Sequence, residues 1–181
     1  IAAFFAMMVS FGLFGTSFGI FFKPLLAEFG WTRAMISGAY SLSGILLGAL
    51  GVIMGRLTDR FGPRPILTFC GIFLGLGYLL MSQTSTLWQL YLFYGVIVGI
   101  GMSGIWVPLL STVARWFIGR RSLMTGIVIA GMGLGSFITP PVISQLISAY
   151  GWRLSYIVMG CTILLIMVLA AQFLRYGPTQ K

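Results

Sequence analysis

The chain has 181 residues, 59% of them hydrophobic and 7% charged, with a mean hydropathy of +1.04. Soluble domains carry about 25% charged residues, so this composition cannot cover a surface in water, and lipid is the solvent that suits it. The net charge of +9 is spread singly or in short clusters between apolar runs, with no basic helix face, which argues for membrane orientation and against nucleic acid.

Enzyme chemistry has no visible basis. There is no histidine, no buried carboxylate pair and no cysteine near a base, so nothing here is a catalytic or metal site and no cofactor is called for. Cys70 and Cys161 lie inside apolar runs and read as inert buried thiols. The chain opens at Ile1 inside an apolar run without a basic leader, which reads as a start within a longer sequence.

A helix needs about 20 apolar residues to cross a bilayer, and the charges divide the chain into runs of that size. Residues 1–22 are uncharged up to Lys23 and make the first span, and 34–55 make the second. No charge occurs from Pro65 to Ala114, which as one helix would be about 75 Å long. The polar run Ser82-Gln83-Thr84-Ser85-Thr86 divides it into spans 65–82 and 87–114. Spans 122–150 and 154–174 complete an all-α, six-span membrane unit over residues 1–174, and 175–181 begin a connecting loop.

Basic residues set the orientation. With the N-terminus inside, Arg56, Arg60, Arg64, Arg115, Arg120, Arg121, Arg175 and Lys181 fall on the cytoplasmic side, and only Lys23, Arg33 and Arg153 fall outside. Both ends of the segment are therefore expected in the cytoplasm, in the inner or plasma membrane of the cell. Trp31, Trp88 and Trp152 then sit at outer ends as an aromatic belt and Trp116 at an inner end, while Trp106 alone is deep in a span. Glycines recur at helical spacing as Gly12/Gly15/Gly19, Gly44/Gly48/Gly51/Gly55, Gly71/Gly75, Gly95/Gly99 and Gly131/Gly135. Such stripes let helices pack closely, and they equally suit helices that slide. Pro140-Pro141 should bend the fifth span.

Single polar residues allow two readings each. Lys23 is a snorkelling anchor or draws anions inward. Trp106 faces lipid or a cavity. Thr16, Ser17, Ser103, Thr139 and Gln145 bond within their own helices or serve the bundle, and Thr16, Trp106, Thr139 and Gln145 are the candidates for a substrate cavity.

The segment Gly55-Arg56-Leu57-Thr58-Asp59-Arg60-Phe61-Gly62-Pro63-Arg64 joins the second and third spans. It is expected to be a tight cytoplasmic turn, with Gly62 permitting an unusual backbone angle and Pro65 opening the next helix. Asp59 is one of two acids in the chain and could pair with Arg60, Arg64 or a helix N-terminus.

This segment resembles the signature loop of the major facilitator superfamily, Gly-x-Leu-x-Asp-Arg-x-Gly followed by basic residues. Gly55, Leu57, Asp59, Arg60, Gly62 and Arg64 match, and Pro63 stands where a basic residue is frequent. The resemblance implies two six-helix halves facing each other across a central cavity, with this chain as the N-terminal half and the matching residues as a cytoplasmic gate. Phe18 to Leu25, Phe29 to Arg33, Arg115 to Phe117, Arg120 to Gly126 and Tyr150 to Arg153 further resemble bacterial monocarboxylate and oxalate/formate carriers. Two positions depart from related patterns: the lysine that some animal monocarboxylate carriers have in the first helix would fall near Thr16, and the mid-helix-four arginine of proton-coupled drug exporters near Gly95.

The implied function is secondary active transport of a small solute by alternating access, with an organic anion such as a monocarboxylate as substrate. The implied partners are that solute, a coupled proton or counter-anion, the bilayer and the other half of the protein. A drug or sugar exporter on the same scaffold, and a transport-inactive receptor or assembly protein, are the alternatives.

Overall fold

The computed structural model describes residues 2–106, 109, 110, 112, 113 and 121–173. Among these there is no strand. Six helical rods pack into one bundle. The expected features at Arg115, Trp116 and Arg120, and the loop 175–181, lie outside the described residues.

The first rod consists of α1 (Ala2–Phe11), a π-helical turn (Gly12–Thr16) and α2 (Ser17–Phe29). It runs seven residues beyond Phe22, because Lys23 is exposed and Pro24 stands where the rest of the turn still pairs. Gly30, in the left-handed region at φ 63, ends it and returns its N–H to Leu26 O. Thr32 then caps α3 (Arg33–Phe61) by accepting the Met35 N–H.

The expected loop 55–64 is a helix for most of its length. Helix α3 continues to Phe61, only Gly62 leaves helical geometry (φ 92, ψ 164), and α4 (Pro63–Met81) starts at once. Pro63, not Pro65, therefore takes the first helical position, where its fixed φ and missing N–H cost nothing. At the other end Ser82–Thr86 does break the chain. Thr86 and Gln89 form a capping box in which Gln89 Oε1 accepts the N–H groups of Ser85 and Thr86 and the Ser85 hydroxyl.

The fourth rod comprises α5 (Leu87–Leu90), a π stretch (Tyr91–Val98) and α6 (Gly99–Ser103). Regular helix stops there and does not continue unbroken to 114. Gly104 and Ile105 form a turn, and a Cβ on Gly104 would lie 2.3 Å from Cys70 Sγ, so a larger residue would have to displace that thiol. The Leu109 N–H on Ile105 O shows helical pairing resuming beyond the turn.

Helix α7 (Arg121–Phe173) holds the last two rods, 121–150 and 152–173. Its backbone stays helical through Pro140 and Pro141, and the break comes at Gly151 (φ 81, ψ 166). Both arms fold against helices that come earlier in the chain. Gly12 meets Gly135 and Thr139, and Gly131 meets Phe4. On the other arm, Gly75 meets Gly160 and Leu164, and Gly71 meets Met167. These close glycine contacts are what lets the rods touch backbone to backbone.

Burial is uneven. Half of the apolar stretch of the first rod and of α4 is buried, against 17% for α3. Ile45, Val52 and Ile53 on α3 and Leu123, Leu134 and Phe137 on the 121–150 arm face outward. Cys70 is buried as expected, whereas Cys161 is exposed, because it lies on the outward side of the 152–173 arm.

Candidate functional site

Three of the four candidate cavity residues gather at the middle of the first rod. The Thr16 hydroxyl donates to Gly12 O within its own helix. Thr139 reaches the same glycine from the 121–150 arm, with its Oγ1 2.5 Å from where a Cβ on Gly12 would stand. Trp106, half-buried, sets its ring edge-on to Phe11 at 4.8 Å. Gln145 does not join them. It is exposed, six residues beyond Thr139, or about 9 Å of helix.

Thr139 also lines a cavity of about 260 Å³ between the first rod and both arms of α7. Its walls are Met8, Leu13, Ile143, Val158 and similar side chains, and two of its hydroxyls are already bonded to their own helices, Ser155 to Gly151 O and Thr162 to Val158 O. No charged side chain lines it. The charged residues among the described ones all sit near rod ends: Lys23, Glu28, Arg33 and Arg153 at one end of the bundle, and Arg56, Asp59, Arg60, Arg64 and Arg121 at the other. Such placement is what the cost of an intramembrane charge dictates.

Gly95 has a structural reason to lack a side chain. A Cβ there would meet Leu42 Cδ2 at 2.8 Å, because the fourth rod lies directly on α3. A side chain at this position would have to displace the Leu42 side chain, with the Ala39 carbonyl 3.5 Å from its Cβ.

The matching segment occupies the end of α3, the Gly62 turn and the start of α4. Gly55, Leu57, Asp59 and Arg60 stand on the last two turns of α3, with Asp59 and Arg60 exposed. The Gly62 N–H closes onto Thr58 O at 2.9 Å. Arg60 lies over the Phe61 ring at 5.4 Å, and Arg64 donates to Gln172 O at 2.8 Å. Arg64 thus ties this segment to the last described turn of the 152–173 arm.

At the opposite end the sequence reading missed Glu28. Its carboxylate accepts the Trp152 indole N–H through one oxygen and pairs with Arg153 at 2.9 Å through the other. The Arg153 guanidinium lies over the Trp152 ring at 4.8 Å. Trp152 is therefore buried against Glu28, Phe29 and Tyr156 and is not part of a lipid-facing belt, whereas Trp88 is 83% exposed. The signal was available: the chain has two acids, and Glu28 shares an end with Arg153.

The whole chain, residues 1–181, matches the family model described as Major Facilitator Superfamily. Monocarboxylate transporter 13 of Bos taurus is 38% identical over 154 residues, covering 84% of this chain and 36% of that protein. Monocarboxylate transporter 1 of Bos taurus is 30% identical over 165 residues, covering 91% of the chain and 33% of the relative. The uncharacterized MFS-type transporter YhjX of Escherichia coli (strain K12) is 27% identical over 165 residues, covering 91% and 41%. The chain thus spans between a third and about two-fifths of the curated relatives it matches. A six-rod apolar bundle, a Gly62 turn flanked by Asp59, Arg60 and Arg64, and a family match along its full length agree: this chain belongs to the major facilitator superfamily, a family of multi-pass membrane transporters and not of enzymes.

Proposed function

We propose that these six helices are the N-terminal half of a secondary transporter that moves a small organic anion by alternating access. The observation that carries the reading is the open, glycine-bearing side that α3 and the 121–150 arm each present. Outward apolar side chains there alternate with Gly44, Gly48, Gly126 and Gly133, around which a Cβ would find nothing within 4 Å. A second six-helix half is the partner that fits it, and the solute pathway runs between the two halves past Thr16, Trp106 and Thr139. This half supplies shape and hydroxyls, and the charge that holds an anion or exchanges a coupled proton or counter-anion comes from the other half. In this reading Arg56, Arg60 and Arg64 face the cytoplasm, both ends of the segment lie on that side of the cell membrane, and Asp59 with its neighbours latches the cytoplasmic gate.

The test is uptake of labelled lactate by the complete protein in proteoliposomes, in competition with formate, oxalate, a neutral sugar and a lipophilic cation. The acids are expected to compete, and Trp106→Ala to raise the half-saturating lactate concentration several-fold. If the sugar or the cation competes and none of the acids does, the substrate is not an anion and the exporter reading replaces it.

A further inference from the structure

π-helical turns are rare in helices, and widening a turn leaves backbone carbonyls short of their usual donors. Among the described residues there are two, Gly12–Thr16 in the first rod and Tyr91–Val98 in the fourth. Tyrosine hydroxyls take two carbonyls of the first: Tyr78 donates to Leu13 O at 3.2 Å and Tyr94 to Phe14 O at 3.3 Å. Tyr94 belongs to the second π stretch, so one hydrogen bond joins the two irregular turns directly. Its ring also lies parallel to Phe14, within the turn, at 6.2 Å and against Phe18, just beyond it, at 4.7 Å.

The first π turn is held by the tyrosines on one side and by Gly135 and Thr139 against Gly12 on another, and it is open only at Gly15. Tyr78 and Tyr94 are both buried, whereas Gly15 and Gly19 have open space where a side chain would stand. Beyond the turn, α2 leads to Glu28, whose carboxylate holds Trp152 and Arg153. Helix α2 is therefore fastened at its tip and at its root, with an irregular turn between it and α1.

We propose that the two π turns form one linked hinge, in which Tyr94 is a positioning residue that makes α2 move with the fourth rod. The role of this hinge in transport rests on the reading above; the linkage itself does not. A carbonyl at a widened turn can re-pair along its own helix, and the Tyr94 hydroxyl is what opposes that slip.

The test uses spin labels at Lys23→Cys and Gln83→Cys in the complete protein without Cys70 and Cys161, held in lipid nanodiscs. Both label positions are exposed. Tyr94→Phe removes only the hydroxyl and keeps the ring, and is expected to broaden or shift the distance distribution between the labels. It should also slow lactate uptake in proteoliposomes about fivefold, the equivalent of one buried hydrogen bond, with the half-saturating concentration unchanged. Tyr156→Phe is the control: that ring is equally buried in the same cluster, but its hydroxyl has no partner, so both readouts should stay as in the unsubstituted protein. A Tyr94→Phe distribution that superimposes on the unsubstituted one, or an equal change in Tyr156→Phe, overturns the linkage. Changed distances with unchanged uptake overturn the positioning role. Changed distances in a protein that carries no solute in any form uphold the hinge and sink the transport reading instead.

Discussion

At the scale of single residues, the two acids do different work. Asp59 sits on an exposed helix end, while Glu28 uses both carboxylate oxygens to bind one turn of the chain across the bundle. Arg153 and Glu28 remain 52% and 38% exposed, so water screens the ion pair and it contributes at most about 1 kcal/mol. The Trp152 N–H is more sheltered, and leaving it without an acceptor costs about 1–3 kcal/mol. Glu28→Gln keeps an acceptor for the indole and loses only the charge, so its thermal unfolding in detergent should stay close to that of the unsubstituted chain. Glu28→Ala loses both contacts and should unfold several degrees earlier. Equal melting of the two variants would mean that the indole bond contributes nothing. Gly95 makes a complementary case. Its missing side chain reads in the sequence as an argument about family branch, and in the structure as a close approach of the fourth rod to Leu42, which a larger residue would have to displace.

At the scale of elements, glycine spacing alone does not tell a packed stripe from an open one. Gly131/Gly135, Gly71/Gly75 and Gly95/Gly99 all press against other helices, whereas Gly15, Gly19, Gly44 and Gly48 have no neighbour within 4 Å of an added Cβ. A Cβ on Gly135 would lie 2.0 Å from Met8 O, a backbone atom that cannot swing away. Gly135→Ala should therefore destabilise the bundle by about 1–3 kcal/mol, as overpacking does. Gly44→Ala should be neutral or stabilising by up to about 1 kcal/mol, from helix propensity alone. Chemical unfolding of the two variants in mixed micelles separates these outcomes, and a Gly44→Ala penalty as large as that of Gly135→Ala would show that the open face is closed. Helix breaks follow the same logic. Two consecutive prolines leave 121–150 helical, while Gly151 ends it, because proline already has a helical φ and only glycine takes φ 81 without strain.

For the whole molecule, the distribution of charge makes a prediction about sidedness. Eight of the eleven basic residues lie at one end of the expected spans, which by the positive-inside tendency faces the cytoplasm. Single cysteines at Gln83 or Ala149, in a background without Cys70 and Cys161, should react with an impermeant thiol reagent added to intact cells. A cysteine at Phe61 should react only after the membrane is opened. Labelling of Phe61→Cys from outside would reverse the proposed orientation and move the Asp59 segment to the other side of the membrane.

Solvent class, helix content and the family-bearing segment were determined by the sequence alone, because each depends on local quantities. Those quantities are the length of uncharged runs, the position of isolated cations and a short pattern of Gly, Asp and Arg. Tertiary structure decided what depends on which atoms meet across the chain. It placed Glu28 on Trp152 and Arg153, 124 residues away in the case of the indole, and gathered Thr16, Trp106 and Thr139 around Phe11 and Gly12 while leaving Gln145 exposed. It also set π turns where an uninterrupted apolar run offers no periodic cue, since such a turn is held by donors from elsewhere, here Tyr78 and Tyr94. In lipid nearly every side chain of a span is apolar, so hydropathy says that a helix crosses but little about which side meets a neighbour; that choice falls to backbone approach and to the few hydroxyls able to reach a carbonyl.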